Sequence, residues 1–188
     1  NYELLSSDKH AGFLKKMNKN PGDYRPDITH QCLLMLFDSP LNREGLLRVY
    51  LHTERNVLIE VSPQTRFPRT MERFSGLMVQ LLHKMTIRAT EGSERLLHCI
   101  KNPVVEHLPT GCRKIGTSYH APELTKWSDI VPKSDEPIVV VIGAMAKGKV
   151  SVDYVEEEVK LSSYPLSAAL ACAKLTSAFE EAWGICLL

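Results

Sequence analysis

The hydrophobic positions change period several times along the chain, and each change marks an element. After Pro26 and Asp27, the residues Ile28, Cys32, Leu33, Leu36 and Phe37 recur at helical spacing until Asp38-Ser39-Pro40 stops them. Gly45 to Thr53 then alternates, with Leu47, Val49 and Leu51 on one side and Arg48, Tyr50 and His52 on the other, which predicts a half-buried strand. Val57 to Val61 is a second short strand, near enough to the first to form a hairpin. Pro68 opens a helix in which Met71, Phe74, Leu77, Met78, Leu81, Leu82 and Met85 make one apolar stripe that must pack on a core. Cys112 to Ser118 and Ile138 to Ile142 read as strands. The second is so continuously apolar that both its faces should be covered, as in a parallel sheet between helix layers. Pro165 to Trp183 is the last helix, where Ala168, Ala169, Ala171, Ala173 and Ala178 let a neighbouring backbone come close. Strands separated by helices predict an α/β fold, and with no repeat or long polar linker residues 1–188 read as one domain.

Composition narrows the class further. With 44% hydrophobic and 24% charged residues, the 188-residue chain lies far from disordered or collagen-like sequences. Its longest apolar run, Ile138 to Ala146, falls well short of the roughly 20 residues that span a bilayer, so no membrane partner is expected. Asn1 to Gly12 carries no apolar signal core, which makes an intracellular protein the expectation. Cysteines at 32, 99, 112, 172 and 186 fit neither a disulfide framework nor a paired-cysteine zinc site, and no two histidines stand at ligand spacing on one helical face. No metal is expected.

A net charge of +1 hides an asymmetry. Arg66 to Arg88 holds five basic residues and one acid, whereas Val150 to the end holds two lysines and six acids. A basic patch on a neutral domain concentrates polyanions, although such runs are also ordinary solvated surface. Within it, Arg69 and Arg73 would stand at i and i+4 in the first turns of the Pro68 helix, with Arg66 just ahead, sharing one exposed face. Cations there oppose the helix dipole unless an anion joins them, and arginine grips phosphate oxygens in pairs, so these residues suit a nucleic-acid backbone. Arg25 and Asp27 flank the rigid Pro26, so the carboxylate can orient the guanidinium; an ordinary helix cap looks the same. Gly143-Ala-Met-Ala-Lys-Gly148-Lys149 follows the buried strand, where open α/β sheets bind cofactors. It is not a phosphate-binding P-loop, because Val150 replaces the hydroxyl residue and the β-branched, alternating Val150 to Tyr154 does not open a helix. A cofactor loop and a structural turn remain equally consistent with the spacing.

Six ordered blocks settle on one family. They are Arg25-Pro-Asp-Ile-Thr-His-Gln31, Asp38-Ser-Pro-Leu-Asn42, Pro63-Gln-Thr-Arg66 with Pro68-Arg69, Gly76-Leu-Met-Val-Gln-Leu-Leu-His83, Ile142-Gly-Ala144 with Gly148-Lys-Val150, and Tyr164-Pro-Leu-Ser-Ala-Ala169. Together they resemble the ribosome-biogenesis pseudouridine-N1 methyltransferases, the essential-for-mitotic-growth group of the SPOUT superfamily, in a eukaryotic rather than archaeal form. The resemblance implies a SPOUT-type sheet between helix layers with a C-terminal trefoil knot, without the strand and segment with which family members usually begin. It implies a homodimer, S-adenosylmethionine as donor with S-adenosylhomocysteine as product, and N1-methylation of one pseudouridine in small-subunit (18S) rRNA of nucleolar preribosomes in the nucleus. Carried over by position, Gly143, Gly148 and Leu161, Ser162, Ser163, Tyr164, Pro165 and Leu166 bind the cofactor, with Thr117 and Ala121 on the nearby loop. Arg25, Arg66, Arg69 and Arg73 hold the RNA, and Asp27 steadies Arg25.

Two chemical routes remain open at this level. The target N1 must lose its proton; either Asp38 takes it as general base, or the arginines stabilise the developing base anion with no carboxylate acting. The alternative to an enzyme is an RNA-binding ribosome-assembly factor whose catalysis is dispensable. Intact cofactor glycines favour the enzyme.

Overall fold

A computed structural model describes residues 2–185. A short helix, α1 (Ala11–Lys16), is followed by α2 (Pro26–Asp38). Pro26 occupies the first turn of α2, where its fixed φ helps and its missing N–H costs nothing. Ser39 ends the helix by turning extended before Pro40, as a residue ahead of proline tends to do. Its hydroxyl donates to the Leu36 carbonyl at 2.6 Å and accepts from the Asn42 amide at 3.2 Å, so one side chain closes α2 and opens α3 (Pro40–Arg43).

The predicted hairpin forms. Strands β1 (Val49–His52) and β2 (Leu58–Val61) pair antiparallel, with Val49 opposite Val61. Strand β1 is shorter than the alternation suggested, because Gly45 (φ +72°) and Leu46 are spent turning the chain out of α3. After α4 (Met71–Lys84), strands β3 (Thr86–Arg88) and β4 (Arg95–Ile100) complete an antiparallel sheet in the order β1-β2-β4-β3. Helices α2 and α4 cover its inner face: Leu33, Phe37, Phe74, Met78 and Leu81 pack with Val49, Ile59, Val61, Ile87 and Leu97.

Two features of α4 depart from expectation. It starts at Met71 rather than Pro68, since the Pro68 carbonyl accepts from His30 and the first helical acceptor is Thr70, bonded by the Phe74 amide at 3.0 Å. It ends at Met85, which is left-handed (φ 60°) and half exposed, so neither Met85 nor the exposed Leu82 belongs to the buried stripe.

The rest of the chain builds a parallel sheet. Strand β5 (Arg113–Thr117) lies between β6 (Ile138–Val141) and β7 (Glu157–Val159), with the short α5 (Trp127–Ile130) on the first connection. The parallel arrangement was expected for β6, but full cover was not found: β6 is an edge strand and all four residues stay half exposed, while the central Ile115 is wholly buried. Helix α6 (Ala168–Ala182) begins three residues later than predicted, capped by the Ser167 hydroxyl, which accepts from the Leu170 amide at 3.2 Å. It packs along α2, where the Cys172 thiol, beside Cys32 and out of water, is held well above its ordinary pKa. A second core joins Leu41, Ile115, Ile130, Val159, Leu175 and Phe179, and Leu47 touches both cores.

A left-handed non-glycine residue costs about 1–2 kcal/mol. Met85→Gly should therefore raise stability by roughly 0.5–1 kcal/mol, after the greater freedom of glycine in the unfolded chain is subtracted. The check is a higher urea midpoint at unchanged slope.

Candidate functional site

Three loops leave the carboxyl ends of the parallel strands, and the sequence-predicted cofactor residues lie at that end: Thr117 closes β5 and Ala121 follows it, Gly143 and Gly148 follow β6, and Leu161 to Leu166 follow β7. Parallel pairing brings the loops together. The Thr117 hydroxyl donates to the Val141 carbonyl at 3.2 Å, tying the ends of β5 and β6, and the Ser118 amide donates to the Val159 carbonyl at 2.9 Å, tying the start of the first loop to the end of β7. Farther out, the Tyr119 hydroxyl reaches the Ser163 carbonyl at 3.5 Å, and the Lys160 ammonium lies 4.8 Å from the Tyr119 ring centre. Tyr119 and Lys160 carried no signal in the sequence, since their partnership exists only across two loops.

A cleft of about 460 Å³, lined by Gly116, Thr117, Val141, Lys149 and Val150 among others, opens here. That is within the usual range for a small-molecule site. Of the predicted cofactor residues Thr117 lines it directly. Ala121 is buried, Leu161, Ser162 and Leu166 are half buried, and Ser163, Tyr164 and Pro165 are exposed. A larger depression of about 590 Å³, edged by Thr110, Gly111, Lys114 and Glu156, lies by the amino end of β5, and Glu156 borders both hollows.

The glycine loop has no helix, in keeping with the rejected P-loop. Gly148 is left-handed (φ +100°), where a side chain would strain the backbone. Gly143 serves a different end. A Cβ there would stand 2.6 Å from the Val150 Cγ2, so the glycine lets the loop fold against itself. Lys149 reaches across to Glu158 at 2.9 Å.

Two of the four arginines are held at opposite ends of α2, Arg25 at its start and Arg69 at its end. Arg25 makes a two-pronged pair with Asp27, at 2.9 and 2.8 Å, and that guanidinium holds the Asp27 carboxyl below the ordinary carboxylate range. Arg66 donates inward to the carbonyls of Pro63 and Thr65 at 3.2 and 3.1 Å. Arg69 grips both oxygens of Asp38, at the far end of α2. Arg73 is exposed on the first turn of α4, and no carboxylate pairs with it among the described residues. The expected shared helical face of Arg69 and Arg73 is corrected: Arg69 lies ahead of the helix, because the Pro68 carbonyl is taken by His30 and Arg69 turns back to Asp38. Only Arg73 opposes the α4 dipole.

The two hydrophobic cores meet at the turn between α2 and α3. Phe37 lies in the core of the antiparallel sheet and Leu41 in that of the parallel sheet, with Asp38 between them. The Leu41 amide donates to Glu180 of α6 at 3.1 Å, a link that nothing in the sequence signalled. Among the described residues no group of three or more His, Cys, Asp or Glu side chains could hold a metal, and no helix is long and apolar enough to cross a membrane.

The chain is similar to known proteins in sequence and in fold. The EMG1/NEP1 methyltransferase family matches residues 1–180. The ribosomal RNA small subunit methyltransferase NEP1 of Homo sapiens is 63% identical over 184 residues, covering 98% of this chain and 75% of that protein. Its counterpart in Thermococcus kodakarensis is 34% identical, covering 97% and 83%. The crystal structure of Archaeoglobus fulgidus Nep1 bound to S-adenosylhomocysteine superposes with a TM-score of 0.81 at 27% identity, covering 96% of this chain and 81% of that one.

Two outcomes follow from the contacts. Gly143→Ala should lower the melting temperature, and Val150→Ala in the same chain should recover most of that loss, because the obstructing methyl is then gone; additive effects in the double variant would contradict the close approach. Because the folded-state pKa of Asp27 is depressed, its stabilising contribution is complete above about pH 4 and disappears as pH falls through the lowered value. Asp27→Asn should thus be less stable than the parent at neutral pH, by no more than about 1 kcal/mol for so exposed a pair, and equal to it in strong acid.

Proposed function

The chain belongs to the EMG1/NEP1 methyltransferase family, and on that premise we propose that it methylates N1 of a pseudouridine in small-subunit (18S) rRNA, with S-adenosylmethionine as donor. The observation that carries this reading is the meeting of three loops at one end of the parallel sheet, in a chain that superposes over 96% of its length on a Nep1 bound to S-adenosylhomocysteine. The glycine that lets the second loop close and the cleft beside Thr117 suit a small-molecule ligand. Gly143, Gly148, Thr117, Ala121 and Leu161 to Leu166 are the residues we assign to it.

Bound there, the donor supplies an electrophilic methyl group. The protein's part is to bring the target N1 in line with it and to manage one proton: N1 would lose its proton to solvent or a base and gain the methyl as the donor's methyl–sulfur bond breaks, leaving S-adenosylhomocysteine. Arg25, Arg66, Arg69 and Arg73 are assigned to RNA phosphates and to the charge that develops on the base. Asp27 and Asp38 each hold one of these arginines by two prongs, so their guanidiniums are oriented before RNA arrives. With both oxygens engaged by Arg69, Asp38 suits holding that arginine better than accepting the N1 proton. The target nucleotide must leave its stack to reach the cleft. A trefoil knot in the C-terminal part, a homodimer and work on nucleolar preribosomes in small-subunit biogenesis complete the proposal, supported by the family.

The test uses two hairpins, one with pseudouridine and one with uridine, whose N1 carries the ribose and cannot accept a methyl. N1-methylpseudouridine should form only from the first. Methylation of both hairpins would sink the N1 assignment, and tight binding without product would favour an assembly factor. Arg73→Ala should weaken RNA binding and lower the salt slope by about one counterion, with S-adenosylhomocysteine affinity unchanged.

A further inference from the structure

The stretch from Pro63 to Thr70 carries Arg66 and Arg69 yet belongs to neither the strand before it nor the helix after it. Arg66 bonds within it and Phe67 enters the core, and two buried polar side chains reach it from outside. His30, on α2 and 5% exposed, lies stacked 4.5 Å from the Phe74 ring and places Nε2 at 2.6 Å from the Pro68 carbonyl. A carbonyl can only accept, so Nε2 carries the proton and donates. Asn42, on α3 and 3% exposed, donates from Nδ2 to the Pro63 carbonyl at 3.1 Å and, more weakly, to Phe37 at 3.4 Å. Its Oδ1 has no partner among the described residues, so what this amide contributes is its donor end. The two donors grip the carbonyls of Pro63 and Pro68, with Arg66 between them and Arg69 directly after the second. A third buried group, Thr65, fastens the middle by donating to the Leu96 carbonyl at 2.8 Å.

Neither His30 nor Asn42 touches the cleft, and both point away from solvent. We propose that His30 and Asn42 are positioning residues of the RNA surface: by donating to the carbonyls of Pro68 and Pro63 they fix the backbone from which Arg69 and Arg66 project. This rests on the RNA-binding reading above. A guanidinium meets a phosphate in two-pronged geometry only if its backbone is held within a fraction of an ångström, so a loosened segment loses RNA contacts while keeping its charge.

The test is His30→Phe, which keeps a flat ring against Phe74 but has no donor, beside His30→Gln, whose Nε2 can still donate. RNA affinity, its salt slope, S-adenosylhomocysteine affinity and melting temperature are measured for each. His30→Phe should bind the pseudouridine hairpin at least tenfold more weakly and lose up to one counterion from the slope, as Arg69→Ala does, while S-adenosylhomocysteine binds as in the parent. His30→Gln should restore most of the RNA affinity. Combined with Arg69→Ala, His30→Phe should cost much less than it does alone, because the arginine it positions is gone.

An RNA loss that adds fully to that of Arg69→Ala, or that is matched by an equal loss of S-adenosylhomocysteine binding, would overturn the proposal and leave His30 as part of the core. If His30→Phe does not fold, Asn42→Asp, which turns the donor into an acceptor facing the Pro63 carbonyl, reads the same segment through Arg66; unchanged RNA affinity there overturns the proposal as well. Failure of the parent protein to bind the hairpin would bring down the RNA reading itself, whereas normal parental binding with indifferent His30 and Asn42 variants brings down only this inference.

Discussion

Helix α2 is buried on two sides at once, and the arrangement of everything else depends on that. Leu33 and Phe37 enter the core under the antiparallel sheet, while Cys32 meets Cys172 on α6. A helix with a single apolar stripe would join only one sheet. The 13 residues of α2 are apolar round most of their circumference, and the helix becomes the joint between the two halves of the fold. Its continuation as α3 puts Leu41 into the second core, so the turn at Asp38-Ser39-Pro40 lies where the two meet. Ser39 gives that turn its rigidity through one hydroxyl that serves two helices.

The polar chemistry is arranged along the same helix. Asp27 begins it and Asp38 ends it, and each holds an arginine by both carboxylate oxygens. Between them His30 donates across to the segment that bears Arg69. Exposed ion pairs of this kind contribute little stability, so their value lies in direction rather than in holding the fold. A guanidinium aimed in advance loses less freedom when it meets a phosphate. The carboxylates reduce the net positive charge of the surface and in return fix where that charge points.

The cofactor end obeys a different constraint. Parallel pairing sends the ends of β5, β6 and β7 to one edge, and the residues assigned to the methyl donor follow from that, although they are spread from position 117 to position 166 of the chain. Close approach then decides the details. Gly143 has to be small because Val150 lies against it, and Gly148 because its backbone is left-handed. Neither glycine needs to touch a ligand to be required, which separates the shape of the loop from the chemistry it would serve.

Local pattern determined much of this protein. The period of the apolar residues placed α2, the β1-β2 hairpin, β5, β6 and α6 to within a few residues, because each of these is set by which side chains leave water. The residue blocks identify the family and, with it, the arginines and loops. What the tertiary structure alone decided is where a local preference yields to a distant partner. Pro68 looked like a helix start, but its carbonyl goes to His30, so the helix waits until Met71 and Arg69 turns to Asp38. Strand β6 looked fully covered, but it lies at an edge with one strand beside it. The links from Asn42 to Pro63, Glu180 to Leu41 and Tyr119 to Ser163 were illegible for the same reason. A hydrogen bond between residues far apart in the chain leaves no period behind, and only the fold brings its two ends within reach.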